Sequence, residues 1–247
     1  MKVKFAVIKL TKKLILKIMI ILVILILIVV AWFFNNLYMF NIFSSPELYT
    51  NLENKIVGID PGHGGYDPGF FKGEIRECDV VLDISFKLRR LLEQGGAQVI
   101  MTREEDSDMW DYYNDNNNGN NNTHPDLGSR ARLMEEHDVA LFLSVHANSI
   151  PSSVWHGAQT FYQGGDEKSE ILAHNIQDQL IETLKNTDRK PLSADYYILS
   201  NTAAPGVIVE VGFLSNPTER ELLVNDEYQE RVAWAMYLGL IEFISEN

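Results

Sequence analysis

Short runs of branched apolar residues recur along the chain, and three of them end at a polar residue beside a turn. Lys55 to Asp60 runs into Pro61-Gly62-His63-Gly64-Gly65, Val139 to Val145 into His146-Ala147-Asn148, and Val207 to Val211 carries Glu210 near its end. Runs of this length and composition predict strands buried on both faces of a parallel sheet. Ala97–Met101, Gly157–Tyr162 and Tyr196–Leu199 predict further strands. Between them the apolar period changes to that of a helix. Val80, Val81, Ile84, Leu88, Leu91 and Leu92 define one apolar face, stopped by Gly95-Gly96. Ser129–His137 predicts a short helix, and Ile171, Leu172, Ile176, Leu180 and Leu184 predict one over Ser169–Lys185. Thr218 and Glu221 have capping-box spacing after Asn216-Pro217, and Val232, Ala235, Met236, Leu240 and Ile244 give a last helix from about Tyr228. This alternation predicts an α/β fold: a single domain with a mostly parallel, twisted sheet flanked by helices. Functional groups of open α/β sheets collect at the carboxyl ends of the strands. His63, His146 and Glu210 are therefore expected to converge there, in a site of metal type.

The amino-terminal part follows another pattern. Ile18 to Phe34 is an unbroken apolar run of 17 residues, near the lower limit for crossing a bilayer as a helix. Residues 1–34 hold Lys2, Lys4, Lys9, Lys12, Lys13 and Lys17 and no acid. Bulky residues follow the run instead of a small-residue cleavage pattern, which favours an uncleaved signal anchor over a cleaved signal peptide. The lysines then stay in the cytoplasm and the rest is exported. The expected division is 1–34 transmembrane anchor, 35–54 tether and 55–247 catalytic domain. The polar, asparagine-rich stretch 114–122 reads as a surface loop.

Charge and cysteine usage narrow the classes. Residues 35–247 set 15 Lys+Arg against 34 Asp+Glu, a formal charge of −19, which argues against a nucleic-acid partner. Cys78, the single cysteine, excludes an internal disulfide and has no second thiol for redox chemistry.

A hydrolytic zinc site takes about three His, Asp or Glu ligands and leaves a position open for water. It also needs a carboxylate to move the proton. His63, Glu77 and His146 supply a ligand set, with Glu210 left over as that carboxylate. The apolar residues around Glu210 predict a raised pKa. Taken alone, Glu77 reads first as a solvated acid at a helix start, and its place in a short connection after His63 is what allows the ligand reading. His124 reads as solvated, and His137, His156 and His174 as surface or satisfied histidines. No nucleophile elbow and no phosphate loop is present.

Asp60 through Gly65, Glu77 before an apolar helix, Ser144 through Asn148, and Glu210 through Asn216 together resemble the zinc-dependent N-acetylmuramoyl-L-alanine amidases of the Amidase_3 family. The likeness runs in the family's order over about residues 55–245. Val99–Arg103, Ile150–Tyr162, Val211–Pro217 and the apolar amino terminus draw it toward the germination-specific, spore-cortex members. The resemblance implies cleavage of the amide between N-acetylmuramic acid and the L-alanine of peptidoglycan stem peptides. It makes His63, Glu77 and His146 the zinc ligands and Glu210 the catalytic glutamate. In the cortex this reaction is the first step toward muramic-δ-lactam, and a lipoprotein becomes a candidate partner. Cys78 departs from the basic residue that commonly follows the ligand glutamate. A vegetative cell-wall amidase, a catalytically silent wall-binding protein and a zinc peptidase remain as alternatives. The peptidase is disfavoured by the absence of H-E-x-x-H spacing.

Overall fold

A computed structural model describes residues 12–43, 52–110 and 125–246. The asparagine-rich stretch, His124 and residues 44–51 of the expected tether lie outside the described residues. The chain divides into two units, residues 1–48 and 49–247.

The first unit holds helix α1 (Lys12–Phe43), so the expected tether is helical as far as Phe43. Its apolar side chains from Leu16 to Trp32 are exposed wherever they are described. Among the described residues, no helix is long and apolar enough to cross a membrane.

The second unit runs in chain order through β1 (Ile56–Pro61), β2 (Phe71–Lys72), β3 (Ile75–Arg76), α2 (Glu77–Gln94), β4 (Gln98–Met101) and α3 (Pro125–Glu136). It continues through β5 (Leu141–Asn148), β6 (Gln159–Tyr162), α4 (Glu167–Leu184), β7 (Leu192–Ser193), α5 (Tyr197–Ser200), β8 (Gly206–Phe213), α6 (Pro217–Leu223) and α7 (Asp226–Glu246). The main sheet has the order β4-β1-β5-β8-β6-β7. Its first four strands are mutually parallel, β6 is antiparallel to β8, and β7 lies parallel to β6.

Strand register explains how the sheet carries a site. Side chains two apart share a face, and Gly58, Phe142 and Gly206 are register partners across β1, β5 and β8. One step on, Asp60, Ser144 and Ile208 line up, and then His146 stands beside Glu210. That face therefore changes from apolar to polar toward the strand ends. The Phe142 ring fills the space left open at Gly206, and the Met134 side chain with Phe142 Cβ fills that at Gly58. Ala131 and Met134 of α3, with Ile198 and Leu199 of α5, pack on Phe142 and Ile208 to close the apolar part. On the alternate positions Val57, Ile59, Leu141, Leu143, Val145, Val207 and Val209 are all fully or almost fully buried. Helix α2 packs on β1 and β5 and on α7, which packs on α4. Gly239 of α7 abuts the backbone of Ile176 in α4, where no side chain would fit.

Several expectations are corrected. Tyr196–Leu199 is not a strand. Tyr196 caps the one-turn helix α5, whose Ile198 and Leu199 are both buried in the same cluster. Adjacent positions on one face suit a helical turn, because a strand would point them apart. The loop to Gly73 contains the unforeseen hairpin β2–β3, with Gly73 in the left-handed region at φ 65°. The start of α6 is not the Thr218–Glu221 box: Asn216 Oδ1 accepts from the Thr218 and Glu219 amides, and Pro217 takes the first turn. Helix α3 is already formed at Pro125, four residues ahead of the expected Ser129.

Candidate active site

The turn after β1 is held from below. A Cβ at Gly62 would enter the His146 ring, so the chain can pass only as glycine. His63 follows in the left-handed region at φ 59°, a conformation that costs a non-glycine residue of order 1 kcal/mol or more and persists only when the surroundings impose it. Two guanidinium groups do so. Arg103 Nε and Arg130 Nη1 both donate to the Pro61 carbonyl at 2.9 Å, Arg103 Nη2 to Gly62 O at 2.9 Å, and Arg130 Nη2 to His63 O at 2.7 Å. Arg130 is itself buried and paired with Asp60 at 2.8 Å and Asp126 at 2.7 Å. Burial would raise the Asp60 pKa, but the Arg130 charge and the hydroxyls of Ser144 and Thr102 outweigh it and hold the carboxyl below its usual range.

Glu77 opens α2 and is 5% exposed, so its reading as a solvated helix-start acid is set aside. Its Oε1 accepts from the Ala147 amide at 3.0 Å and lies 3.1 Å from His63 Nε2 and 3.3 Å from His146 Nδ1. Its Oε2 accepts from the Phe70 amide at 3.0 Å. The two imidazole rings meet edge to face, 4.9 Å between centroids. One donor atom from each of His63, Glu77 and His146 lies within 4.8 Å of the others. Burial opposes the ionised Glu77 carboxylate, yet the two histidines push its pKa far below the ordinary value. Burial likewise opposes the His63 cation, but Glu77 and then Asp67, whose Oδ2 is 2.6 Å from Nδ1, raise its pKa to about 9. Two imidazoles and a carboxylate are a zinc donor set. The residues fit the ion.

Glu210 stands next to His146 in register on the neighbouring strand. Burial raises its pKa; His146 and His63 act against this and Glu77 with it, and the result is about 7. Its Oε2 is buried with no hydrogen-bond partner. A cleft of about 940 Å³ opens over this edge, lined by His63, His146, Glu210, Trp110, Tyr196 and Leu127 among others.

Residues 57–242 match the family model Amidase_3, described as N-acetylmuramoyl-L-alanine amidase. The chain belongs to this amidase family. Its activity is that of an N-acetylmuramoyl-L-alanine amidase. It is 41% identical over 197 residues to the germination-specific N-acetylmuramoyl-L-alanine amidase of Bacillus subtilis, covering 79% of this chain and 82% of that protein. The structure of the CwlD amidase from Clostridioides difficile, in complex with the GerS lipoprotein, aligns with a TM-score of 0.72 at 36% identity over 78% of this chain and 100% of that one. The catalytic domain of CwlV from Paenibacillus polymyxa aligns at 0.68 and 28% identity, over 78% and 99%.

All four expected site residues of the amidase thus meet at one sheet edge. The supporting groups were not foreseen. Asp60 was visible only as part of a motif, and nothing in its sequence setting showed that it would accept from Arg130, Thr102 and Ser144. Arg130 had a signal, Asp126 four residues before it on a helix, though not one that pointed to the Pro61–His63 carbonyls. Cys78 is buried, and its backbone carbonyl accepts from Arg103 at 2.7 Å.

Proposed function

We propose that the amidase is zinc-dependent, with His63, Glu77 and His146 holding the ion and Glu210 acting as general base and acid. The observation that carries this reading is the pair of unlike carboxylates at one edge, Glu77 saturated with donors and Glu210 with an unpartnered oxygen and a pKa near 7. An ion held by the three donors would supply Lewis acidity toward a water and the scissile carbonyl. Glu210 takes a proton from the attacking water, whose oxygen adds to the lactyl carbonyl carbon. It then delivers that proton to the alanine nitrogen as the C–N bond breaks, leaving a muramic carboxylate and a free amine. A pKa near neutrality suits both transfers. The open cleft suits a polymeric substrate.

The substrate is peptidoglycan, acted on outside the cytoplasm, with spore cortex as the site and muramic-δ-lactam as the eventual product. The germination-specific relative supports this placement. The complex of the Clostridioides difficile relative supports a lipoprotein partner. The apolar run Ile18–Phe34 after six lysines supports residues 1–34 as a membrane anchor, with 35–54 linking it to a catalytic domain at 55–247.

Mass spectrometry of peptidoglycan incubated with the full chain, with and without a chelator, tests the chemistry. Stem peptides with a free L-alanine amino terminus should appear only without chelator; release that ignores the chelator would overturn the metal role. Spores lacking the protein should lack cortex muramic-δ-lactam, and a normal content would overturn the cortex assignment.

A further inference from the structure

We propose that Asp67 is the positioning residue that sets the His63 imidazole for the metal, and that the loop from Gly64 to Phe70 is a clasp over two of the three donors. The proposal rests on the zinc reading above. His63 has left the strand, so no ladder fixes its ring, and the arginines hold only its carbonyl and those before it. The ring is held by Asp67 Oδ2, 2.6 Å from Nδ1. With a carboxylate at Nδ1, that nitrogen carries the proton and Nε2 is left to bind, directed at Glu77 Oε1 3.1 Å away.

Asp67 is itself pre-set. Its Oδ1 accepts from the Gly69 amide at 3.0 Å, and its backbone pairs with Gly64 through bonds of 2.8 and 3.2 Å. Three residues on, the same loop reaches the second donor. The Phe70 amide donates to Glu77 Oε2, and the Phe70 carbonyl accepts from the Glu77 amide at 2.8 Å. Gly69, at φ 63°, lies where a Cβ would come within 2.6 Å of Glu77 Oε2 and 2.8 Å of the His63 ring. The loop thus closes tightly around both side chains. The Asp67 side chain is 68% exposed, so the core does not depend on it. Its orientation serves the ring.

The test is zinc affinity of the full chain, measured by competition with a chromophoric chelator, for wild type, Asp67→Ala and Asp67→Asn. Loss of an outer partner of a metal-bound histidine typically weakens the metal 10–100-fold. Asp67→Ala should show a loss of that size. Asp67→Asn, whose amide oxygen still accepts from Nδ1, should fall between it and wild type. The visible spectrum of the cobalt-substituted protein should shift in the same order, while the metal-free melting temperatures stay close together. A purely structural role would move the melting temperatures and leave affinity and spectrum alone. Wild type that binds no zinc overturns the metal reading and this role with it. Wild type that binds zinc beside an Asp67→Ala variant of equal affinity overturns the role of Asp67 alone.

Discussion

Glu77 and Glu210 are the same side chain gathered at the same end of one sheet, the first from a helix start and the second from a strand, and their surroundings make them chemically opposite. Glu77 sits at a helix amino terminus, takes two backbone amides and touches two imidazoles, so it stays ionised despite burial. Glu210 is reached from an apolar strand, has an oxygen with no partner, and holds its proton to about pH 7. Burial acts on both in the same direction; donors decide the outcome. In the proposed mechanism, this separation of two titratable groups by environment is what makes one a ligand and the other a base.

Removing the base should break the comparison most strongly. Glu210→Gln should lower kcat by about 10²–10⁴-fold while zinc stoichiometry, read by elemental analysis, stays at the wild-type level. Full turnover would take Glu210 out of the mechanism. The same variant should melt no lower than wild type when both are metal-free at pH 8. With a folded pKa raised to about 7 from an unfolded value near 4.5, Glu210 costs no stability below about pH 4.5, an increasing amount from there to about pH 7, and a constant amount above it.

Glu77→Gln makes the other carboxylate neutral. Zinc affinity should drop by more than about 100-fold, beyond the loss expected for an outer partner, as read by chelator competition; undiminished affinity would remove Glu77 from the ligand set. Arg130→Met tests the support beneath. It leaves Asp60 buried and unpaired, which should cost about 3–5 kcal/mol in denaturant unfolding. A change under 1 kcal/mol would show that Asp60 is relieved another way. The smallest effect sharpens the comparison by titration. On the acid side, kcat/KM should fall about tenfold per pH unit once Glu210 is protonated. A bound dication lowers a neighbouring carboxylate's pKa, so that limb should lie at or below pH 7. Glu210→Gln should abolish the limb, and an unchanged limb would assign it elsewhere.

Much of this was legible because it is local. Branched apolar runs ending at His63, His146 and Glu210 showed the strands and their carboxyl ends, and the helical period located α2, α4 and α7. The run Tyr196–Leu199 misled because its apolar, aromatic composition fits a strand or a buried helical turn equally, and packing on Met134 and Phe142 chose the turn. The two-residue strands β2, β3 and β7 are too short to carry a periodic signal.

The sequence by itself determined the fold class and, through its motifs, the family, and it singled out the four residues proposed for the site, since strand ends and residue spacing are properties of the chain. Only the tertiary structure decided that His146 faces Glu210 in register and that Arg103 and Arg130 clamp the Pro61–His63 carbonyls. It alone decided that Asp67 turns back onto the His63 ring, and that Glu77 sets both carboxylate oxygens on backbone amides while Glu210 leaves its Oε2 without a partner. Register, burial and hydrogen-bond supply depend on residues tens of positions apart. Those same terms set the pKa of a carboxylate, so the chemistry of the edge was fixed by the fold.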